Sequence, residues 1–213
     1  MDQTITALKA QKRNPNRINV YLDGEFAFGL NRLVAAWLKV GQVINEAKAE
    51  TLRKQDSEET AIEKALRFLG PRQRSQAEVE QRLTKYGYDA ATIAEVIDRL
   101  KEDHLLSDDD FAAMWVENRS TFRPRSHRML KLELKQKGVE ENIVQKALDQ
   151  AQDDETLAYM AARKYASRLS NLEWQIFQRR LGGFLSRRGF SYETVRPVVK
   201  QVWEEVSLDR DHL

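Results

Sequence analysis

Apolar and polar residues alternate along the first thirty positions, which is the pattern of half-buried β-strands. The dipeptide Asp23-Gly24 separates two alternating runs, and Asp-Gly in that position is the strongest short-range signal for a hairpin. Ile18, Val20 and Leu22 share one strand face before it, and the motif RNPN (13–16) indicates an earlier turn. We therefore predict a small three-stranded antiparallel meander in which Phe26 and Phe28 continue the apolar pattern.

The pattern becomes helical after the meander. Asn31 is predicted to cap a short helix that contains Trp37 and ends at Gly41, and a second helix is predicted over about residues 45–55. A sheet of two or three strands is marginal alone, so these helices are expected to cover one of its faces. We place a domain boundary near Asp56, which makes residues 1–55 a small β-meander with one or two helices.

The rest of the chain repeats at an interval of 51 residues, which relates Gly87, Gly138 and Gly189. Seven apolar columns follow the same interval and show no polar gap. Within a unit the spacing i, i+3, i+4, i+7 is that of a helix with one buried stripe. The columns begin at Val79, Leu83, Tyr88, Ile93, Val96, Ile97 and Leu100.

Each repeat is predicted to be a helix, a glycine turn and a second helix, because a left-handed glycine ends a helix at low cost. A further helical segment precedes each pair. The sequence thus predicts a mainly α protein with three tandem three-helix repeats in an elongated arrangement, at residues 56–107, 108–153 and 154–206. The columns specify a core, so function is expected to reside in positions outside them.

Composition narrows the class of protein. The chain has no cysteine, which excludes disulfides, thiol catalysis and cysteine-ligated metals, and 32% of its 213 residues are charged. No signal sequence or long apolar run appears, so we expect a cytoplasmic protein without a membrane partner. The three histidines are scattered, and no phosphate-binding loop, dinucleotide fingerprint or nucleophile motif is present. We predict a non-enzyme without metal, cofactor or small-molecule substrate.

Charge is distributed unevenly although the total is only +2. Residues 163–200 carry nine basic and two acidic side chains, a local charge of +7. Acidic clusters occur elsewhere, at residues 108–110 and 153–155. A basic end combined with acidic stretches indicates contact with a polyanion or with an acidic protein groove.

The motifs RQRS (72–75) and RPRS (123–126) place arginines at two predicted helix starts. Ser75 and Glu78 have the spacing of a capping box, and Ser126 can act as a plain N-cap. Capping explains the serines but not the cations, since the positive end of a helix dipole disfavours them. Solvated surface charge is the alternative interpretation; recurrence favours an anion-binding or partner-binding role. The candidates are Arg72, Arg74, Arg123, Arg125, Arg128 and Lys131.

The segment RRLGGFLSRRGF (179–190) adds a second basic surface. Its arginines, Arg179, Arg180, Arg187 and Arg188, are predicted to form a charged face opposite the buried stripe. The four tryptophans are alternative candidates, because aromatic rings stack on bases, although such residues more often fill helical cores. Trp174 fits a core role least well of the four, since it interrupts the repeat near the basic face.

The segments RQRSQAEVEQRL, HLLSDDDFAAMWVENR and PRSHRMLKLELKQKGV resemble the bacterial RecX proteins, which regulate the RecA recombinase. The resemblance covers about residues 61–203, and the N-terminal hairpin is similar to an extension that some members carry. It implies a non-enzyme that binds along the groove of the RecA filament on single-stranded DNA, inhibits its ATPase and strand exchange, and favours disassembly. Some family members also bind DNA directly, so single-stranded DNA is an expected partner and double-stranded DNA an alternative one.

The third repeat departs from the family pattern. Trp174 and Ile176 stand where the first two repeats have arginines, and Phe177 replaces the serine.

The sequence as a whole leaves two hypotheses about function. The protein is a regulator of the recombinase filament, or it is a helical DNA-binding protein, transcriptional or architectural, that acts independently of RecA.

Overall fold

A computed structural model of the chain describes residues 2–211, and the side chains of residues 2–208. The described residues form a four-stranded sheet followed by helices, which confirms the predicted mainly α fold with an N-terminal β-meander. The chain divides into two compact units, Met1–Leu106 and Ser107–Leu213. The N-terminal elements are β1 Gln3–Ala10, β2 Arg17–Leu22, β3 Glu25–Asn31, α1 Arg32–Ala35, β4 Val43–Ile44 and α2 Glu46–Leu69.

The helices that follow come in pairs behind a leading helix. The first repeat uses the end of α2 with α3 Gln76–Lys85 and α4 Ala90–Glu102. The second contains α5 Asp108–Phe122, α6 His127–Gln136 and α7 Glu141–Asp149, and the third contains α8 Asp154–Ala166, α9 Trp174–Arg187 and α10 Tyr192–Asp211.

The sheet has the order β3-β2-β1-β4, with each neighbouring pair antiparallel. Asp23 and Gly24 have φ values of 49° and 92°, the positive φ at both positions that a two-residue type I′ hairpin requires. A bulge follows this turn, because Tyr21 pairs with Phe26 whereas Val20 pairs with Phe28. The prediction that Phe26 and Phe28 both continue the apolar face of the strand is therefore wrong, because Phe28 is buried but Phe26 is 58% exposed.

Helix α1 is shorter than the sequence pattern indicates. The Asn31 side chain accepts from the Leu33 amide, which confirms the predicted N-cap, but the helix ends at Ala35. The chain then returns to the sheet, where the amide of Gly41 donates to the Ile5 carbonyl. Trp37 consequently lies outside the helix and is 87% exposed.

Helix α2 runs without a break from Glu46 to Leu69, so the two helices predicted on either side of Asp56 are one. Leu52 contributes to the core under the sheet, whereas Ala61 and Ala65 belong to the core of the first repeat. Asp56 accepts two hydrogen bonds from Arg17 of β2, at 3.2 and 2.9 Å. One helix therefore serves both cores within the unit Met1–Leu106, and the predicted domain boundary falls inside it.

Each repeat has its own apolar core, built from the predicted columns. Val79, Leu130 and Leu181 are fully buried, and the leucines four positions later are buried equally. Gly87, Gly138 and Gly189 all have positive φ, between 77° and 93°, which confirms the predicted glycine turns.

The third repeat differs at the start of its middle helix. Helices α3, α6 and α9 end at positions related by the 51-residue interval, but α9 begins one turn earlier than α3 and α6. Trp174 is its first residue, and Phe177 is fully buried with its ring 5.0 Å from that of Trp203. Apolar packing thus replaces the capped, arginine-flanked loop of the other two repeats.

Candidate functional site

The start of α3 is held by a capping box. The amide of Glu78 donates to the Ser75 hydroxyl, and the Ser75 amide donates to the Glu78 carboxylate, as the sequence predicts. Arg72 also binds this carboxylate through both terminal nitrogens, at 2.9 and 3.2 Å. Arg74 donates to the Phe68 carbonyl and lies 4.1 Å above the Phe68 ring. The acidic residue at N3 therefore offsets the unfavourable dipole that Arg72 meets.

The start of α6 repeats this arrangement with different partners. Ser126 is fully buried and accepts from the Met129 amide, the plain N-cap that the sequence predicts. Arg125 forms an ion pair with Glu133, whose side chain is only 12% exposed. The arginine at the helix start is again matched by a carboxylate of the same helix.

Glu133 is the centre of a polar network that the sequence pattern does not reveal. Its Oε2 accepts from the indole nitrogen of Trp115 and from Nε of Arg119, both at 2.8 Å. The guanidinium of Arg119 also lies 4.5 Å above the Trp115 ring. Trp115 and Arg119 are four residues apart on one face of α5, a spacing that signals such a pair. The network joins α5 to α6 and gives Trp115 a structural role.

Arginines converge where the second repeat meets the third. Arg188 donates from Nη1 to the Pro124 carbonyl at 2.8 Å, and the Ser126 amide donates to the Arg188 carbonyl. Burial, and then the charges of Arg125 and Arg123, lower the pKa of Arg188 below its ordinary value. Arg188 is half-buried and engaged in this junction, so it does not lie on the exposed face predicted for α9.

The remaining predicted cations divide into paired and unpaired groups. Lys131 forms an ion pair with Glu141, which also binds Lys135 at 2.6 Å. These contacts lower the pKa of Glu141 through hydrogen bonds from Lys131 and Lys135. Arg123 and Arg128 are exposed and have no carboxylate partner among the residues that the structure describes.

Three arginines of α9 remain available to bind a partner. Arg179, Arg180 and Arg187 are exposed, project away from the buried stripe of Phe177, Leu181 and Leu185, and have no ion pair within the described part of the chain. Arg188 lies at the end of the same helix but points into the repeat junction. We call Arg179, Arg180 and Arg187 the α9 arginine face.

A further cationic cluster lies in the unit Met1–Leu106 and was not predicted. Helices α2 and α3 and the loops that flank α3 bring cations and rings together in alternation. The i, i+4 spacing of Arg82 and Tyr86, which are in contact, is the sequence signal for it. In spatial order its members are Arg74, Phe68, Arg82, Tyr86, Lys64 and Tyr88, which we call the cation–aromatic ladder.

Two other kinds of site are absent from the part of the chain that the structure describes. It contains no group of three or more histidine or acidic side chains arranged to hold a metal ion. None of its helices has the length and apolar character needed to cross a bilayer.

Four family models match successive parts of the chain. They are described as the regulatory protein RecX N-terminal domain, at residues 3–45, and the first, second and third RecX three-helix domains, at residues 61–100, 107–148 and 152–199. The three helical matches correspond to the three predicted repeats, and the domain limits given above remain predictions.

Relatives extend the likeness to nearly the full length. The regulatory protein RecX of Bacillus pumilus is 32% identical over 94% of this chain and 78% of its own length. That of Clostridium tetani is 30% identical over 93% of this chain and 94% of its own. Among solved structures, a regulatory protein RecX superposes with a TM-score of 0.72 over 92% of this chain and 98% of its own, at 23% identity, and so supports the fold. RecX from Lactobacillus salivarius gives 0.60 at 25% identity, over 70% of this chain and 97% of its own. The chain belongs to the RecX family of regulatory proteins.

Proposed function

We propose that this protein inhibits the RecA recombinase by binding along the RecA filament on single-stranded DNA in the cytoplasm. Membership of a family of regulatory proteins named RecX supports a regulatory role directed at RecA. The proposal needs no catalytic group, and it assigns the effect to occupancy of the filament. Lower ATPase activity and faster filament disassembly are the expected consequences.

The α9 arginine face is the observation that carries the proposal. Three exposed guanidinium groups lie on one helix, within a segment of charge +7, and no carboxylate of the described chain neutralises them. Such a surface attracts a polyanion or an acidic groove, and a filament of protein on DNA offers both. The arginines at the starts of α3 and α6 contribute less free charge, because Arg72 and Arg125 are already paired.

A titration of the DNA-dependent ATPase tests this function. RecA is assembled on single-stranded DNA, and the protein is added at increasing ratios. We expect ATP hydrolysis to decrease at ratios well below one protein per RecA subunit, because a ligand that occupies the groove affects several subunits. Substitution of all three arginines of the α9 arginine face by glutamate should raise the protein concentration needed for half-maximal inhibition at least tenfold.

A matched charge control separates the face from net charge. Lys12, Arg13 and Lys39 are exposed in the N-terminal domain, and their reversal changes the charge equally. This control variant should inhibit like the parent chain. Unchanged ATPase activity at an excess of protein over filament would refute the proposal. Tight, salt-dependent binding to DNA with no effect on RecA would instead support the second hypothesis, a DNA-binding protein that acts alone.

A further inference from the structure

A pocket in the unit Ser107–Leu213 is lined by elements of both the second and the third repeat. Helix α5, the end of α7 and helix α8 surround an open volume of about 380 Å³. Val116 and Ala147 are buried and give the pocket an apolar floor, and Met160 of α8 also lines it. The volume is at the small end of ligand sites, so the pocket suits one or two side chains. The other lining residues are Ala113, Glu117, Ser120, Thr121, Gln150, Ala151 and Gln152.

The rim of the pocket carries negative charge. Glu117 is exposed and forms no ion pair with any cation that the structure describes. Two helices also end at the pocket, since Ser120 and Thr121 belong to the last turn of α5 and Gln150 is the C-cap of α7. Helix C-termini carry partial negative charge and favour cations. No lysine, arginine or histidine is among the described residues that line the pocket.

Ser120 lacks hydrogen-bond partners that a helical serine usually has. Its hydroxyl is the one buried side-chain polar atom without a partner in the part of the chain that the structure describes. Its carbonyl lacks the usual donor four residues later, because Pro124 has no N–H. Proteins rarely leave a buried polar atom unpaired, so the place of Ser120 in the pocket wall indicates a partner from outside the chain.

The basic side chains of the two helix ends do not neutralise this rim. Arg119, in the last turn of α5, binds Glu133, and Lys146, in the last turn of α7, binds Asp109 at 2.6 Å. A phosphate or carboxylate in the pocket would meet a carboxylate and two negative helix ends. The charge therefore favours a cationic ligand, and the apolar floor favours one with a hydrocarbon stem.

We propose that this pocket binds an arginine side chain presented by a partner polypeptide. The three methylene groups would pack on Val116, Ala147 and Met160. The guanidinium would donate to Glu117 and to the carbonyl oxygens at the end of α5. It offers five N–H donors in one plane, which suits acceptors on several elements, whereas the ammonium of lysine is a compact, strongly hydrated charge. The inference goes beyond the proposed function and does not rest on it, because the arginine need not belong to RecA.

NMR of the full chain, labelled with ¹³C in its methionine methyl groups, tests this site. The probe is Nα-acetyl-arginine methylamide, which has the backbone of a residue inside a polypeptide. The chain has four methionines, and of these Met160 lines the pocket whereas Met129 lies on α6. We expect the Met160 signal to shift and saturate, with a dissociation constant on the order of millimolar, while the Met129 signal stays in place.

Two variants and a matched control define the contacts. Glu117→Gln should weaken binding about three- to fivefold, the upper part of the range for an exposed ion pair, and should make it less dependent on salt. Ala113→Leu fills part of the pocket from an exposed helix position and should abolish the Met160 shift. Glu95→Gln removes the same charge from an exposed position on α4 and should leave the affinity unchanged. Circular dichroism verifies that each variant is folded.

Comparison ligands decide between the alternatives. The citrulline analogue of the probe has nearly the same shape without the charge and should bind about threefold more weakly or worse. Equal affinity for the citrulline analogue, equal affinity of Glu117→Gln and the parent, or no saturable shift of Met160 would overturn the inference. Equal affinity for the lysine analogue would refute the assignment to arginine. Tighter binding of free arginine than of the capped probe would assign the pocket to a small molecule rather than a polypeptide.

Discussion

Substitution of Gly189 by alanine should destabilise the junction of the second and third repeats far more than the same change at Gly87 destabilises the first repeat. Both glycines have a left-handed backbone, with φ of 93° and 86°, so both substitutions carry a backbone cost of about 1 kcal/mol. A Cβ at Gly87 meets nothing within 4 Å. A Cβ at Gly189 would lie 2.5 Å from Oγ of Ser126 and 3.1 Å from Cβ of Met129. The substitution at Gly189 alone therefore creates a clash between repeats.

The size of the difference follows from the packing. Ser126 is fully buried and caps α6, so it cannot move away without breaking its hydrogen bond to the Met129 amide. Overpacking of this kind costs about 1–3 kcal/mol, so we expect a total loss of roughly 2–4 kcal/mol for Gly189→Ala and about 1 kcal/mol for Gly87→Ala. Ser126→Ala removes the clashing oxygen at the cost of the cap, about 1 kcal/mol. The double variant should therefore be less destabilised than the sum of the two.

Urea unfolding with two probes provides the assay. Of the four tryptophans, Trp115, Trp174 and Trp203 lie in the unit Ser107–Leu213, whereas Trp37 is already exposed. Tryptophan fluorescence therefore reports mainly on that unit, and circular dichroism reports on all helices. Gly189→Ala should lower the fluorescence midpoint, and Gly87→Ala should leave it nearly unchanged. Equal destabilisation by the two substitutions, or strict additivity with Ser126→Ala, would refute a close approach of Gly189 to Ser126.

Two further predictions concern buried and titrating carboxylates. Glu133→Gln should cost about 3 kcal/mol in urea unfolding, because it weakens the contacts to Arg119 and Arg125, whereas Glu141→Gln, at an exposed ion pair, should have little effect. Asp89 and Asp153 cap α4 and α8, and the hydrogen bonds they accept from Thr92 and Thr156 lower their pKa values. Their stabilisation is present above the unfolded pKa of about 4 and is lost as the pH falls through the folded value. Asn at both positions keeps the caps, so a stability profile between pH 2 and 6 should become shallower; an unchanged profile would contradict this.

The repeat architecture was predictable from the sequence because burial in helices is periodic. A fixed interval and helical spacing were enough to predict the buried column from Val79 through Leu181 and the glycine at each turn. The break at Trp174 was also visible, as a departure from that interval. Its structural meaning, an added turn at the start of α9, was not, because it depends on packing against Trp203.

The candidate site was less predictable because charge pairing is decided in three dimensions. Arg72 and Arg125 look uncompensated in the sequence, yet each finds a carboxylate six or eight positions later on the helix that it precedes. Arg188 resembles its neighbour Arg187 in sequence but lies in the repeat junction. The cation–aromatic ladder joins residues of α2 to residues of α3 and of the loops that flank α3, so only its i, i+4 pair, Arg82 and Tyr86, was visible along the chain.

The continuity of α2 restricts which length changes the chain can accept. At 1.5 Å per residue its 24 residues span about 36 Å, and Leu52 and Ala61 point to nearly opposite sides of the same cylinder. One residue inserted between them would turn the sheet by about 100° about the helix axis relative to the first repeat. The insertion would also separate Asp56 from Arg17 or leave an apolar face in water. Insertions and deletions in this segment are therefore tolerated only when they approximate whole turns.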